Sequence, residues 1–293
     1  MTTSAVDLDA AYAECQVITR REARNFYYAF LALPTTRRRS IYAAYAFSRL
    51  ADDIADGDGD TSERADALTA LRASLHAAFA GAPTGAIMTA LAHTADSYVI
   101  PESLFNDIID GVEMDLAHDR YATFEELKGY CYRVASAVGL VSIHIFGFTD
   151  DRAKAYAVDL GLAMQLTNIM RDVAEDAAMG RIYLPQDELR RFGVTEDQLR
   201  AGVMDDNFVA LMRFQAGRAR GYFESGANLF PLLIPRSRGC ATGLHHLYAK
   251  LLDRIERKGF DVFQGRISLP VSEKMRLTFT LWATSFLTRR LMS

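Results

Sequence analysis

Apolar residues recur at i, i+3, i+4 and i+7 through Ala- and Leu-rich stretches along nearly the whole chain, the period of an amphipathic helix. That spacing predicts helices at roughly 8–32, 35–56, 61–80, 85–98, 102–118, 123–147, 150–178, 206–229, 239–258 and 272–290, with shorter helical turns over 186–201. The seven prolines punctuate the pattern: Pro34, Pro101 and Pro185 sit where helices start or stop, and Pro231 and Pro235 bracket a short turn. No alternating strand pattern, hairpin turn, internal repeat or linker interrupts the series. The expectation is one all-α domain over residues 1–293.

Two of these helices carry acidic pairs on otherwise core-like surfaces. In SRLADDIADGDG, Asp52 and Asp56 are four residues apart, among Tyr42, Phe47, Leu50 and Ile54. In GLAMQLTNIMRDVAED, Gln165, Asn168, Asp172 and Asp176 follow one another at spacings of three and four, among Leu162, Leu166, Ile169 and Met170. Residues i and i+4 share a helix face, so each pair aims two carboxylates at one spot. A lone DxxxD is usually exposed charge, but an acidic stripe on a helix this apolar is costly to bury without a cation. Two such faces set opposite each other would repel unless cations fill the gap. Hard oxygen donors without Cys or His suit Mg²⁺, completed by water and substrate phosphate. The residues therefore point to a helical pocket that holds a diphosphate through magnesium.

Other features are less decisive. Phe26, Tyr27, Phe30 and Leu33 form a stripe that core packing explains, and Arg37–Arg38–Arg39 reads as a solvated face. Arg49 precedes Asp53 by one turn. Asp110, Glu113 and Asp115 fit a mixed surface helix as well as a pocket, and Tyr130 fits a packed ring or a hydroxyl aimed at the cleft. Ala135, Ser136, Ala137 and Gly139 allow either close helix approach or space for a ligand. The Met179–Pro185 segment is a flap or a helix-ending turn. Tyr248, Arg266 and Lys274 lie in the C-terminal part, where lone basic groups are usually superficial.

Composition narrows the class. A net charge of −4 argues against a nucleic-acid partner. Three cysteines, Cys15, Cys131 and Cys240, show neither metal spacing nor a disulfide framework, which suits a reducing cytoplasm. The acidic N-terminus lacks a signal-peptide pattern, and runs such as VGLVSIHIFGF are expected to be too short to span a bilayer. Peripheral contact with the inner face of a membrane stays open, as does the oligomeric state.

The quoted motifs, with NFYYAFLALP, GVEMDL, YCYRVASAVGL, GRIYLP and YAKLLDRIERKGFDVF, resemble those of the squalene/phytoene synthases, over about residues 15–275. That resemblance implies an isoprenoid-synthase-type helical bundle around a central cavity. It implies a prenyltransferase that joins two prenyl diphosphates head to head, with two or three Mg²⁺ ions. Asp52, Asp56, Asn168, Asp172 and Asp176 match its metal-binding positions. Tyr130 and Tyr183 match tyrosines near the reacting carbons, while Arg49, Tyr45, Phe26, Gln165, Tyr248 and Arg266 match substrate-binding ones. One departure is Ala23–Arg24–Asn25 before Phe26, where many members carry serines. The motifs look most like bacterial presqualene diphosphate synthases acting on two farnesyl diphosphates. The alternatives are phytoene synthase, using geranylgeranyl diphosphate, and squalene or dehydrosqualene synthase. NADPH is not evident in the motifs, and hopanoid and carotenoid routes both remain.

Rival classes explain less. A di-iron bundle needs Glu-x-x-His, which is absent, and a helical phosphohydrolase would rest on His118–Asp119 alone. A helical scaffold leaves the polar stripe at 165–176 without a reason.

Overall fold

The computed structural model describes residues 7–23, 26–117, 119–270 and 273. Its elements are α1 (Leu8–Glu22), α2 (Phe26–Phe30), α3 (Thr35–Ala55), α4 (Thr61–Phe79), α5 (Gly85–Tyr98), α6 (Glu102–Ala117), α7 (Phe124–Cys131) and α8 (Ala137–Phe146). They continue with α9 (Arg152–Ala178), α10 (Gln186–Phe192), α11 (Glu196–Ala201), α12 (Asp206–Gly226) and α13 (Pro235–Arg257). Among the described residues there is no strand, only the isolated bridges Arg120–Ile182 and Phe148–Leu233. The all-α expectation therefore holds.

Local chemistry sets the helix ends. Asp60 accepts from the Glu63 N–H at 2.9 Å while Glu63 reaches back to the Asp60 N–H at 3.0 Å, a capping box that starts α4. Thr195 and Gln198 repeat the device at α11. Apolar stripes then drive packing: α3 presents Ile41, Ala44 and Phe47 inward, and Phe47 meets Phe105 of α6 edge-on at 5.4 Å. Both rings are fully buried, each contributing on the order of 2–3 kcal/mol by transfer from water. α9, the longest helix, packs against α8 and α12, with α13 alongside.

Four boundaries differ from expectation. The first helix stops at Glu22, and α2 is a separate short helix whose Tyr27 stacks on Tyr42. The 123–147 helix contains a π-helical turn at Tyr132–Ser136, and the helix expected to reach 229 tightens into a 3₁₀ turn at Ala227–Leu232, around Pro231. α13 begins at Pro235, because proline fits the first helical position. Apart from Glu273, the expected 272–290 helix lies outside the described residues, as do Lys274, Asn25 and His118.

The arginine run is not a solvated face. Arg37 donates to the Ile145 carbonyl and lies 5.6 Å from the Tyr98 ring; Arg39 lies 4.5 Å from the Tyr12 ring. Guanidinium planes cover aromatic faces here, and the side chains are half-buried. The helical run Phe124–Phe146 is long and apolar enough by length and composition to cross a membrane, contrary to expectation. Half of it is buried within the bundle, however, which is also the profile of a core helix.

The small residues after Tyr132 serve both readings left open above. Ser136 is buried and donates to the Val158 carbonyl at 2.8 Å, while Ala135 and Gly139 border open space. Gly161 of α9 makes the approach possible: a Cβ there would lie 2.6 Å from Ser136 Cα.

Candidate functional site

Inside the bundle is a cavity of about 370 Å³. Phe26 and Phe30 of α2, Val138 of α8, Leu160 of α9, Leu229 of the 3₁₀ turn and Leu244 of α13 supply apolar wall. Along α9 the lining passes from Ala157, Leu160 and Met164 to Gln165 and Asn168, so it turns polar toward the helix C-terminus. Along α3 it passes from Tyr45 through Ser48 to Asp52. Both helices thus lead from an apolar chamber to an acidic end, with Asp56, Asp172 and Asp176 one or two turns further on.

The acidic end converges on α6. Asp115 lies within electrostatic range of Asp52, Asp56 and Asp176, so the two sequence pairs face a common carboxylate. Lost hydration in this crowded recess pushes Asp52 up to about 7; Asp56 and Asp115 add to the rise and Arg49 opposes it. Asp52 still meets solvent, which makes the recess wet rather than sealed. Burial likewise pushes Asp176 up to about 7, aided by Asp172 and opposed by Arg181.

Asp172 is differently placed. Arg171 Nε donates to its Oδ1 at 2.7 Å, and Arg266 Nε approaches the same oxygen at 3.2 Å. Arg266 Nη1 also lies 3.6 Å from Glu175. Arg49 pairs with Asp53 through one guanidinium nitrogen, while its buried Nε has no hydrogen-bond partner. Asn168 donates to Gln165 at 3.2 Å, yet its buried Oδ1 is also unpartnered. The buried Tyr248 hydroxyl adjoins the Asn168 amide, and its ring stacks on Phe26 at 6.0 Å.

Tyr130 and Tyr183 do not border the large cavity. Their hydroxyls donate to Asp115 at 3.1 and 2.8 Å, and Tyr183 borders a small recess shared with Asp176 and Arg181. The Met179–Pro185 segment is laced to the 119–122 loop. Ile182 N–H donates to Asp119 O at 3.0 Å, and Arg120 donates to Gly180 O at 2.7 Å while pairing with Glu196. Gly180 sits at φ +81, closing the end of α9 as only glycine does without strain.

Phe26, Tyr45, Asp52, Gln165, Asn168 and Tyr248 are thereby gathered on one cavity. Asp56 and Asp176 join at its acidic end, Asp172 carries the Arg171 and Arg266 guanidinium groups, and Tyr130 and Tyr183 attach through Asp115. Sequence reasoning passed over Arg171, took Arg181 only as the cation of the Met179–Pro185 flap or turn, and left Asp115 undecided. The available signal was a charged residue inside a core-like helix for Arg171, and nothing local for Asp115.

No three Asp, Glu, His or Cys side chains among the described residues form a ready-made ligand cluster. The donor set nevertheless fits hard divalent ions: it is all oxygen, Asp52 and Asp176 are disfavoured as charges, and Asn168 Oδ1 lacks a partner. Mg²⁺ keeps waters and takes substrate phosphate, so protein oxygens need not complete its shell.

An all-helical bundle with an apolar chamber and an acid-rimmed end fits ligands with a long apolar tail and a head group held through cations. The squalene/phytoene synthase family model matches residues 19–273, and the chain belongs to that family. It is 40% identical over 280 residues to the 15-cis-phytoene synthase of Synechococcus elongatus, covering 92% of this chain and 91% of that one. A dehydrosqualene synthase solved with a ligand superposes with a TM-score of 0.87 at 30% identity, covering 96% of this chain and 98% of that chain. The squalene synthase HpnC from Alicyclobacillus acidocaldarius superposes with a TM-score of 0.81 at 32% identity, covering 87% and 97%. As a family member, the chain is a prenyl-transferring synthase of isoprenoid biosynthesis.

Proposed function

We propose that this enzyme joins two identical allylic prenyl diphosphates head to head in a Mg²⁺-dependent reaction. The observation that carries the proposal is the convergence of acidic pairs from α3 and α9 on Asp115, at the polar end of an apolar chamber. Asp52, Asp56, Asn168, Asp172 and Asp176 would hold the metal, which when bound supplies Lewis-acid neutralisation of the leaving diphosphate. Arg49 and Arg266 bring guanidinium donors to diphosphate oxygens, and Tyr248 and Gln165 hold polar contacts at the boundary. Phe26, Tyr45 and Val138 exclude water from the allylic cation and keep the second chain's double bond within reach.

The motifs alone favour two farnesyl diphosphates and presqualene diphosphate. Likeness to a phytoene synthase over nearly all of both chains shifts the preference to two geranylgeranyl diphosphates. The dehydrosqualene and squalene synthase neighbours support the shorter substrate as a second reading. Mass analysis of products from each diphosphate, with and without NADPH, separates them. The first reading expects phytoene from the longer substrate without reductant; presqualene diphosphate or dehydrosqualene from farnesyl diphosphate alone, or squalene once NADPH is added, would establish the second. We place the reaction in the cytoplasm, with peripheral membrane contact for the apolar product.

A further inference from the structure

Asp115 belongs to neither sequence pair, yet it faces members of both in space. It accepts the Tyr183 hydroxyl at 2.8 Å and the Tyr130 hydroxyl at 3.1 Å, bringing together α6, α7 and the segment after α9. The two rings stack at 5.2 Å, and Tyr121 packs on both at 5.3 and 6.0 Å. A carboxylate only accepts, so both hydroxyls must donate to it. A phenol has one proton, and once that proton is committed its oxygen can act only as an acceptor.

We propose that Asp115 is a positioning residue that fixes the Tyr130 and Tyr183 hydroxyls as acceptors toward the acidic end of the cavity. Neither tyrosine then protonates the leaving diphosphate, and either oxygen is left to face positive charge, or to take up a proton while its own proton passes to Asp115. Burial and the nearby carboxylates keep both phenols un-ionised, which preserves the donor direction. This assignment rests on the head-to-head reading above and adds a residue that acts through two others.

The test is a mutant cycle. Asp115→Asn supplies one acceptor and one donor, so one hydroxyl must turn; kcat should fall about 100-fold, the scale of a misplaced group. KM for the prenyl diphosphate and Mg²⁺ affinity by calorimetry should change less than about twofold. In a Tyr130→Phe/Tyr183→Phe background, Asp115→Asn should cost less than about threefold more, because its targets are gone. Full additivity in an active enzyme overturns the assignment and leaves the reaction standing. Lost Mg²⁺ affinity also overturns it, making Asp115 a metal ligand. Should Asp115→Asn not fold, the two Tyr→Phe losses in kcat should be non-additive, and additive losses contradict a shared anchor. A wild-type chain inert toward every prenyl diphosphate would defeat the functional reading and this assignment together.

Discussion

Arg266 reaches back to Asp172 across 94 positions of sequence, its Nη2 3.3 Å from Oδ2 and its Nε 3.2 Å from Oδ1. Arg171 holds the same carboxylate, so Asp172 carries two guanidinium groups in direct contact, while Asp52 and Asp176 feel Arg49 and Arg181 only at longer range. Of the two arginines, Arg266 is the half-exposed one, free to exchange Asp172 for an incoming diphosphate. Arg266→Gln should raise KM for the prenyl diphosphate roughly tenfold, the worth of one charge-assisted bond. Its effect on Tm should stay under about 2 °C, as for a solvent-screened ion pair. An unchanged KM would remove Arg266 from the diphosphate site.

Asp52→Asn and Asp176→Asn each delete a charge that faces Asp115. Turnover should drop by about 100-fold or more with the helical circular dichroism intact. Asp53→Asn is the internal control: Asp53 pairs with Arg49 and, unlike Asp52, does not line the cavity, so its loss should be far smaller. Equal losses at 52 and 53 would show that charge on α3, not its direction, matters.

The raised acids make the metal-free protein sensitive to pH in a defined sense. Asp52 and Asp176 bind protons more tightly in the folded chain, each reaching about 7 from an ordinary 3.8. Their contribution to stability is therefore full below about pH 4 and is lost as pH rises through 7. Asp176→Asn should match wild-type Tm at pH 4 and exceed it at pH 8 without metal, as read by thermal melts. Identical differences at both pH values would refute the burial of that carboxylate.

Gly161 tests the chamber wall. Its missing Cβ leaves room for Ser136, whose N and Cα would lie 2.8 and 2.6 Å from an added methyl. Gly161→Ala should destabilise by about 1–3 kcal/mol in denaturant titrations, because backbone rather than a mobile side chain must move. It should also weaken turnover, since Gly161 borders the cavity beside the π-helical turn. A neutral result would mean that α9 and the turn separate without cost.

The helical period and the two acidic stripes were legible because each is local: Asp52 to Asp56 and Asn168 to Asp176 lie within two turns of one helix. Gln165 was legible in the polar stripe, Tyr45 and Tyr248 followed from family likeness, and the cavity gathers all three. What stayed hidden depends on pairings across the chain. Asp115 matters through Tyr130 and Tyr183, and nothing in GVEMDL distinguishes it from Glu113, which pairs instead with Arg72 at 3.1 Å. Arg37 and Arg39 read as solvated because sequence spacing cannot reveal the Tyr98 and Tyr12 rings they cover. The π-helical turn was invisible for a related reason, since it shifts register without altering the apolar period.

The claim that carboxylates from two helices grip diphosphate through divalent ions is tested most directly by calorimetric titration with a non-ionisable prenyl thiodiphosphate. Tight binding should require Mg²⁺ and should vanish in Asp52→Asn and Asp172→Asn. Binding of equal strength in excess chelator, or undiminished in both variants, would contradict it.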